Sequence, residues 1–338
     1  MEEFDFVVVG AGSAGCVLAN RLTENGRYTV KLLESGPRDN YHWLHIPIGY
    51  AKTMFNKKYN WGFQSEPEPH LNGRNIYQPR GRVLGGSSAI NGLMYVRGQQ
   101  RDYDEWAFLG NPLWSWERCL PYFRKLEHND LGAGATRGQD GPLWATTVPG
   151  DNELVDAFID AGEAVGVPKV NDFNSGPQEG VGYYQLTTRK GFRCSTATAY
   201  LKPARSRSGL SIEVEAHATR ILFDGTRAVG IEYSHAGEMK RVRARKEVLL
   251  SAGAVQSPQL LQVSGVGNSS HLRELGIPVV THLPGVGENL QDHFQARLMF
   301  EVSKPITTND DLRSLTGQVG MGLKWLFNRS GPLAVGIN

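Results

Sequence analysis

The fold is decided by residues 4–15, Phe4-Asp5-Phe6-Val7-Val8-Val9-Gly10-Ala11-Gly12-Ser13-Ala14-Gly15. The apolar run at 4–9 predicts a strand that is buried on both faces of a parallel sheet. The glycines complete a GxGxxG motif, and apolar residues follow at helical spacing as far as Leu22, so the motif opens a helix. Residues 29–34 then predict a second strand. Strand, glycine turn, helix and strand form the βαβ unit in which this motif binds a dinucleotide.

Each glycine of this motif has a physical role. Gly10 permits the tight turn, Gly12 lets the backbone approach a pyrophosphate, and Gly15 allows the helix to pack closely on the strand. The helix N-terminus, from Ser13, offers unpaired N–H groups and partial positive charge to the diphosphate. Glu34 ends the second strand, nineteen residues after Gly15. Its carboxylate can accept hydrogen bonds from ribose hydroxyls and would repel a 2′-phosphate, which favours FAD or NAD over NADP.

A second glycine-rich segment, residues 80–98, has the sequence RGRVLGGSSAINGLMYVRG. Gly85-Gly86-Ser87-Ser88 can approach a ligand with bare backbone and two hydroxyls, and Asn91 can both donate and accept. A flavin needs such a surface because its ring presents polar atoms along one edge, whereas a simple NAD enzyme does not. Taken alone, a glycine- and serine-rich loop without function is an equally good interpretation.

A third segment, GAVQSPQLLQVSGVG at residues 253–267, follows a predicted strand at 247–251. Ser257-Pro258 predicts a helix start, with Ser257 as the N-cap and Pro258 at the first helical position. Ser264-Gly265 is expected to end that helix. Another strand, loop and helix would therefore point a helix N-terminus at the carboxyl edge of the sheet, where ligands collect.

Residues 212–244 show short alternating runs separated by turn residues, which predicts a β-meander inserted before the strand at Glu247. The basic run at 240–246 alternates with Val and Ala, which indicates one solvated face of a strand rather than a polyanion site. The formal net charge is only +2. Nothing therefore favours nucleic acid as a partner.

The remaining composition limits the class of protein. The chain has 338 residues, 40% of them hydrophobic, which is enough for two domains or one large one. Three scattered cysteines argue against a disulfide framework and for a reducing compartment. No metal site is predicted, since His42 and His45 precede Pro47 and Gly49 and are expected in a loop. No secretory signal and no window of about 20 apolar residues is found, so a cytoplasmic location, or one at the periphery of the inner membrane, is expected.

These motifs together resemble the glucose–methanol–choline (GMC) family of flavin oxidoreductases, in its choline and primary-alcohol dehydrogenase branch. The resemblance rests on the N-terminal GAGSAG with its distal Glu34, GRVLGGSSAIN, and GAVQSPQLLQVSGVG. It extends to YDEWAFLGNPLWSWERCLPYF at 103–123, RCSTATAYL at 193–201 and PGVGENLQDH at 284–293. Order and spacing match along the whole chain.

The resemblance implies an α/β fold with two domains. A doubly wound, Rossmann-like FAD-binding domain would comprise 1–40, 75–110 and 190–290. A second, incomplete α+β substrate domain on an antiparallel sheet, with lid segments, would comprise 41–74, 111–189 and 291–338. The chain would cross between them more than once.

Motifs and resemblance together give a set of candidate cofactor contacts. They are Gly10, Gly12, Ser13, Ala14, Gly15, Glu34, Ser35, Arg82, Leu84, Gly85, Gly86, Ser88, Asn91, Gly92, Met94, Ala218 and Gly253. Some family members link FAD through a histidine just before the Asn of the second motif. Ile90 stands there in this chain, so the resemblance implies noncovalent FAD.

The resemblance also implies the reaction: FAD takes a hydride at N5 from the carbinol carbon of a primary alcohol, which becomes an aldehyde. A histidine accepts the hydroxyl proton, since an alkoxide is the better hydride donor. Family members carry that histidine and its His or Asn partner near the C-terminus, and none of the nine histidines matches their motif, so no catalytic residue is assigned and the chain is expected to stop before them. His293, inside ENLQDH, is expected in a structural segment near the flavin rather than as the base.

Other functions stay open at this point. The chain could be an FAD-binding fragment without turnover, or a member of the family's light-driven fatty-acid decarboxylase branch, which keeps the same flavin motifs. An NAD-dependent enzyme would leave GGSSAIN and GAVQSPQLL unexplained. The expected partners are a small-molecule alcohol and an electron acceptor that the sequence does not identify, whether quinone, dye-like compound or O₂.

Overall fold

The computed structural model describes residues 1–148, 152–293, 295 and 298–335. Its strands, in chain order, are β1 (Glu2–Val9), β2 (Val30–Leu33), β3 (Phe63–Gln64), β4 (Tyr77–Gln78), β5 (Glu127–Asn129), β6 (Leu143–Thr147), β7 (Gln185–Leu186), β8 (Thr188–Arg189), β9 (Phe192–Arg193), β10 (Leu210–Glu213), β11 (His217–Asp224), β12 (Arg227–His235), β13 (Glu238–Leu250), β14 (Val266–Gly267) and β15 (Thr281–His282). Its α-helices are α1 (Ser13–Leu22), α2 (Tyr50–Thr53), α3 (Gln100–Phe108), α4 (Trp116–Leu126), α5 (Glu153–Ala164), α6 (Lys202–Ala204), α7 (Gly253–Val263), α8 (Ser269–Glu274), α9 (Thr308–Arg313) and α10 (Leu315–Asn328).

The chain divides into two compact units. The first unit comprises Met1–Tyr41, Ala51–Asn91 and Ser195–Met299, and the second comprises His42–Tyr50, Gly92–Cys194 and Phe300–Asn338. The chain therefore passes between the units several times. The assignment of a flavin domain and a substrate domain with the boundaries given above stays a prediction.

The first unit is built on a six-stranded sheet in the order β10-β2-β1-β13-β12-β11. Neighbours from β10 to β13 pair in parallel, and β12 and β11 continue the sheet antiparallel. The centre of the sheet is buried: Val7 and Val8 are fully buried, and so are Val30 and Leu32 of β2, while Lys31 is buried in ion pairs with Glu2 and Glu213. This arrangement confirms the predicted α/β class with a parallel, Rossmann-like core.

The predicted β-meander was wrong at both of its ends. The run at 212–216 does not belong to it, because β10 pairs in parallel with β2, with Leu210 opposite Val30, and so covers an edge that would otherwise lie open. The predicted strand at Glu247 is not a separate element either. It is the second half of the 13-residue β13, which pairs with β12 over its first half and with β1 over most of its length.

The basic run lies on β13 as predicted. Arg241, Arg243 and Arg245 are exposed, while the intervening Val242 and Ala244 are buried in the core. Successive side chains of an extended strand point to opposite faces of the sheet. The alternating sequence therefore places the arginines in water and the intervening apolar side chains in the core.

The helix of the third motif begins earlier than predicted. α7 starts at Gly253, which has φ +90°, so Ser257-Pro258 lies inside the helix and not at its start. Ser257 nevertheless satisfies a group at the helix N-terminus, because its Oγ accepts a hydrogen bond from the Ala252 N–H at 3.1 Å. The predicted end is confirmed: Ser264 is the C-cap and Gly265 has φ +94°.

The second unit contains a three-stranded sheet in the order β5-β6-β7, in which β5 pairs in parallel and β7 antiparallel, and a hairpin of β8 and β9. A buried ionic cluster lies beside it. The fully buried carboxylate of Glu127 accepts from Arg97 Nη2 at 2.6 Å and from Arg137 Nη1 at 2.8 Å. None of the helices in the described ranges is long and apolar enough to cross a bilayer.

Candidate functional site

A cavity of about 680 Å³ opens at the carboxyl ends of β1, β2 and β13 in the first unit. Its size lies within the range of small-molecule sites. Among the predicted contacts, those that line it are Gly10, Gly12, Ser13, Ala14, Glu34, Ser35, Gly86, Ala218 and Gly253. The position is the one at which open α/β sheets bind ligands, outside the carboxyl ends of parallel strands.

The glycine turn is shaped to receive a ligand. Gly10 has φ +93°, which a residue with a side chain rarely adopts. A Cβ on Gly12 would lie 3.8 Å from the Ser251 carbonyl oxygen and 3.9 Å from Gly86 Cα, so no protein atom excludes it. A Cβ on Gly15, by contrast, would overlap the Gly10 carbonyl oxygen. Gly15 is therefore required by packing within the protein, whereas the space beside Gly12 is open to a ligand.

The N-terminus of α1 faces this space without a competing anion. Gly12 is the N-cap and provides no side-chain cap, and the first turn contains no acidic residue. Gly86 meets Gly12 from the second motif, since a Cβ on Gly86 would come within 2.6 Å of Gly12 Cα. Two bare backbones and uncapped helix N–H groups thus form a cradle suited to an anion such as a diphosphate.

Glu34 stands at the other side of the turn. Its carboxyl accepts hydrogen bonds from the Ala11 N–H at 2.9 Å and from the Gly36 N–H at 2.8 Å, one on each oxygen. Burial raises the pKa of Glu34 from 4.5 to about 7, although both backbone donors oppose that shift. Each carboxylate oxygen has more than one acceptor direction, so two hydroxyl donors can still be accommodated.

Ser35 and Arg82 are joined to two residues that the sequence did not suggest. Arg82 Nε donates to Ser35 Oγ at 3.3 Å, and the Arg82 guanidinium lies over the ring of Trp61 at 4.9 Å. His217 Nδ1 lies 3.3 Å from the same Ser35 Oγ, and its ring is 5.7 Å from that of Trp61. Burial, and then the Arg82 charge, lower the pKa of His217, which favours a neutral imidazole. Trp61 and His217 both line the cavity.

Other predicted contacts are not among the residues that line the cavity. Ser88 Oγ donates to the Gly85 carbonyl at 2.6 Å and accepts from the Thr196 N–H at 3.0 Å, which fixes the second motif against the segment at 195–201. The Leu84 N–H donates to the Pro37 carbonyl at 3.2 Å, and the Asn91 N–H to the Ser87 carbonyl at 2.9 Å.

Gly92 and Met94 fall in the second unit, where Met94 forms a bridge with Leu186. The roles of the predicted contacts as cofactor ligands stay predictions.

Sequence reasoning also missed several polar groups on the cavity wall. Some of them lie outside the recognised motifs and some lie inside them. They are Arg80, Thr219, Ser251, Gln256 and Gln259. Arg80 lies inside the second glycine-rich segment, and Gln256 and Gln259 lie inside the third, so their residue type alone could have suggested them. Among the described residues, no group of three or more His, Cys, Asp and Glu side chains gathers to hold a metal ion.

The fold and the cavity define a dinucleotide-binding α/β protein of the doubly wound type. A family model for the GMC oxidoreductases matches residues 4–295, and the chain belongs to that family, as its motifs predicted. FAD is the cofactor of the family.

Curated relatives agree with this assignment. The chain is 46% identical over 337 residues to mitochondrial choline dehydrogenase of Mus musculus, covering 98% of this chain and 56% of that protein. It is 48% identical over 335 residues to an oxygen-dependent choline dehydrogenase of Chromohalobacter salexigens, covering 97% and 60% respectively. The chain therefore spans a little over half the length of these relatives.

A solved structure supports the same fold. An FAD-dependent oxidoreductase from Chaetomium thermophilum superposes with a TM-score of 0.86 at 32% identity, over 98% of this chain and 60% of that one.

Proposed function

We propose that the cavity of the first unit binds FAD, and that the whole protein is an FAD-dependent dehydrogenase or oxidase of a primary alcohol. The observation that carries the first part is the space at Gly12. A Cβ there would lie no closer than 3.8 Å to any atom of the described residues, yet the position is glycine and lies at an uncapped helix N-terminus. A bound diphosphate explains both features, because it needs the space and the N–H groups.

The two ends of FAD match different parts of the wall. The ribose hydroxyls of its adenosine half would donate to Glu34, whose carboxyl is already oriented by two backbone N–H groups. The wall of Trp61 and His217 beside Ser35 offers ring faces to an adenine. FAD, when bound, supplies a hydride acceptor.

The absence of a covalent link is supported by Ile90. Its side chain is 5% exposed and packs as an ordinary core residue, and it cannot form a bond to a flavin. FAD should therefore be held by hydrogen bonds, charge and packing alone.

The alcohol is proposed from the relatives and not from the cavity. Two of these relatives are named choline dehydrogenases, a name that gives choline as their substrate. Choline and related primary alcohols are therefore the first substrates to test. The electron acceptor is not proposed. The base that takes the hydroxyl proton is assigned to no described residue: His293 is exposed, and His217 is engaged with Ser35. The predicted cytoplasmic or membrane-peripheral location stays a prediction.

The cofactor proposal is tested by denaturing the purified full-length protein in acid and separating the precipitate. FAD is expected in the supernatant, identified by its absorption spectrum and mass. Yellow colour retained by the precipitate would contradict noncovalent binding, and a supernatant with NAD or without flavin would contradict the cofactor itself.

The reaction is tested with the flavin-loaded full-length protein and a dye as electron acceptor. Choline, an aliphatic alcohol and an aromatic alcohol are compared, each with its carboxylic acid as a non-reducing control. Dye reduction that requires one of the alcohols and yields the aldehyde is expected. Flavin that stays oxidised with all of the alcohols under anaerobic conditions would refute the proposed reaction.

A further inference from the structure

Among the described residues that line the cavity, Arg80 is the single Arg or Lys and Glu34 is the single carboxylate. Arg80 is also next to the glycine cradle. Its neighbour Gly81 donates its N–H to Ser87 Oγ at 3.1 Å, and a Cβ on Gly81 would overlap the Gly86 carbonyl oxygen. The backbone of Arg80 is therefore one residue from Gly81, which packs against Gly86, and Gly86 in turn meets Gly12.

The backbone of Arg80 is held in place from both sides. Its N–H donates to Asn60 Oδ1 at 2.8 Å, and its carbonyl accepts from the Trp61 N–H at 2.9 Å. Asn60 is buried, and its Nδ2 donates to Tyr77 Oη at 2.7 Å. A side chain that starts from a fixed backbone loses less conformational freedom when it engages a ligand.

The guanidinium has donors to spare. Nη1 donates to the Pro79 carbonyl at 2.8 Å, and Nη2 lies 3.8 Å from Asp292 Oδ2 in a loose ion pair. The side chain of Arg80 is about one-third exposed, at 35%. Since a guanidinium has five N–H donors, these contacts leave several for an anion, and the planar fork suits a phosphate.

We propose that Arg80 is the cation of the diphosphate subsite, acting together with the N-terminus of α1. The inference rests on the proposed binding of FAD and adds the side chain that neutralises the diphosphate. A helix N-terminus carries only about half a positive charge, whereas a dinucleotide diphosphate carries two negative charges, so a full cation on the wall of the same cavity as Gly12 and Gly86 supplies what the cradle lacks.

The test compares three ligands on the flavin-stripped full-length protein by isothermal titration calorimetry: FAD, ADP and adenosine. ADP keeps the diphosphate and adenosine lacks it. Arg80→Gln is expected to weaken FAD and ADP about 10- to 100-fold, as for loss of a charge-assisted hydrogen bond, and to leave adenosine unchanged. Arg74→Gln is the matched control, because Arg74 lies six residues before Arg80 in the chain but does not line the cavity.

A second variant keeps the question decidable if Arg80→Gln folds poorly. Arg80→Lys retains the charge without the planar guanidinium, so it should still bind ADP more tightly than adenosine. It should bind both FAD and ADP more weakly than the original protein does. Unchanged ADP affinity in Arg80→Gln, or an equal loss for ADP and adenosine in either variant, would overturn the inference. Failure of the original protein to bind FAD would instead overturn the proposed function.

Discussion

Gly12 and Gly15 belong to the same motif, yet the structure predicts that alanine at these two positions fails for different reasons. At Gly12 the new Cβ lies in ordinary contact distance of Ser251 and Gly86, and the backbone has φ −78°. Gly12→Ala should therefore fold. Alanine is a poorer N-cap than glycine, which costs below about 1 kcal/mol of unfolding free energy.

The same Cβ should cost most of the FAD affinity. It occupies the space that a diphosphate needs in order to reach the N–H groups of α1. Hydrogen bonds to a charged group contribute about 1.5–3 kcal/mol each, so losing two of them weakens binding by about 3–6 kcal/mol, or roughly 100- to 10,000-fold.

Gly15→Ala should show the opposite order of effects. Its Cβ would overlap the Gly10 carbonyl oxygen, so helix and strand must move apart. Overpacking of this kind costs about 1–3 kcal/mol of unfolding free energy or more, and FAD affinity falls as a consequence.

The assay pairs urea unfolding of the flavin-free protein with titration by FAD, followed by quenching of flavin fluorescence. Gly176→Ala is the control, since none of the described residues has an atom within 4 Å of a Cβ at that position and Gly176 does not line the cavity. Near-normal FAD affinity in Gly12→Ala would refute the reasoning. A loss of stability in Gly12→Ala as large as that in Gly15→Ala would show that the space beside Gly12 is a packing requirement and not a ligand site.

Three further predictions follow from the contacts described. Burial raises the pKa of Glu34 to about 7, and ribose donors favour its charged form. FAD affinity should therefore fall about tenfold per pH unit as the pH drops below 7, and Glu34→Gln should lose this pH dependence in fluorescence titrations. Glu127→Gln leaves Arg97 buried without its carboxylate and leaves Arg137 with Asp172 alone, so it should lower the unfolding free energy by about 3–5 kcal/mol. Glu153→Gln, at an exposed pair with Lys304, should change it by less than about 1 kcal/mol in the same urea assay. Residues 1–338 alone, given free FAD, should reduce no dye with aliphatic, aromatic or amino alcohols. A positioned base is worth about 10²–10⁴ in rate, and no described residue is assigned as that base. Alcohol-dependent reduction would instead make His293 the first residue to replace.

The βαβ unit could be predicted from sequence because its signals are local. The apolar run of β1, the glycines and the start of α1 are contiguous, and Glu34 follows β2 at a spacing that the fold imposes. Such patterns indicate the secondary structure of a segment from its own residues, without reference to distant parts of the chain.

Contacts between distant segments had no such signal. His217 reaches Ser35 across 182 positions, and the carboxylate of Glu127 meets Arg97 across 30. Neither pair belongs to a periodic pattern, so only the folded chain brings them together. Trp61 is likewise placed at the cavity by pairing of its N–H with Arg80.

Two of the wrong element boundaries arose because local signals competed. Ser257-Pro258 is a strong helix-start pattern, but Gly253 can adopt φ +90° and starts the helix one turn earlier. In β13 the sequence changes from alternating to continuously apolar at Glu247, which suggested two strands. The change instead follows the point at which one continuous strand ends its pairing with β12, at Arg243, and continues alongside β1 as far as Leu250.

The central claim, that the first unit holds FAD with its diphosphate on the glycine turn, is tested most directly by a crystal structure of the flavin-loaded full-length protein. The diphosphate oxygens should lie within about 3.2 Å of the N–H groups that open α1 at Ser13, and a ribose hydroxyl should lie within the same distance of the Glu34 carboxylate. A dinucleotide bound elsewhere, or a diphosphate that leaves the space beside Gly12 to water, would contradict the account.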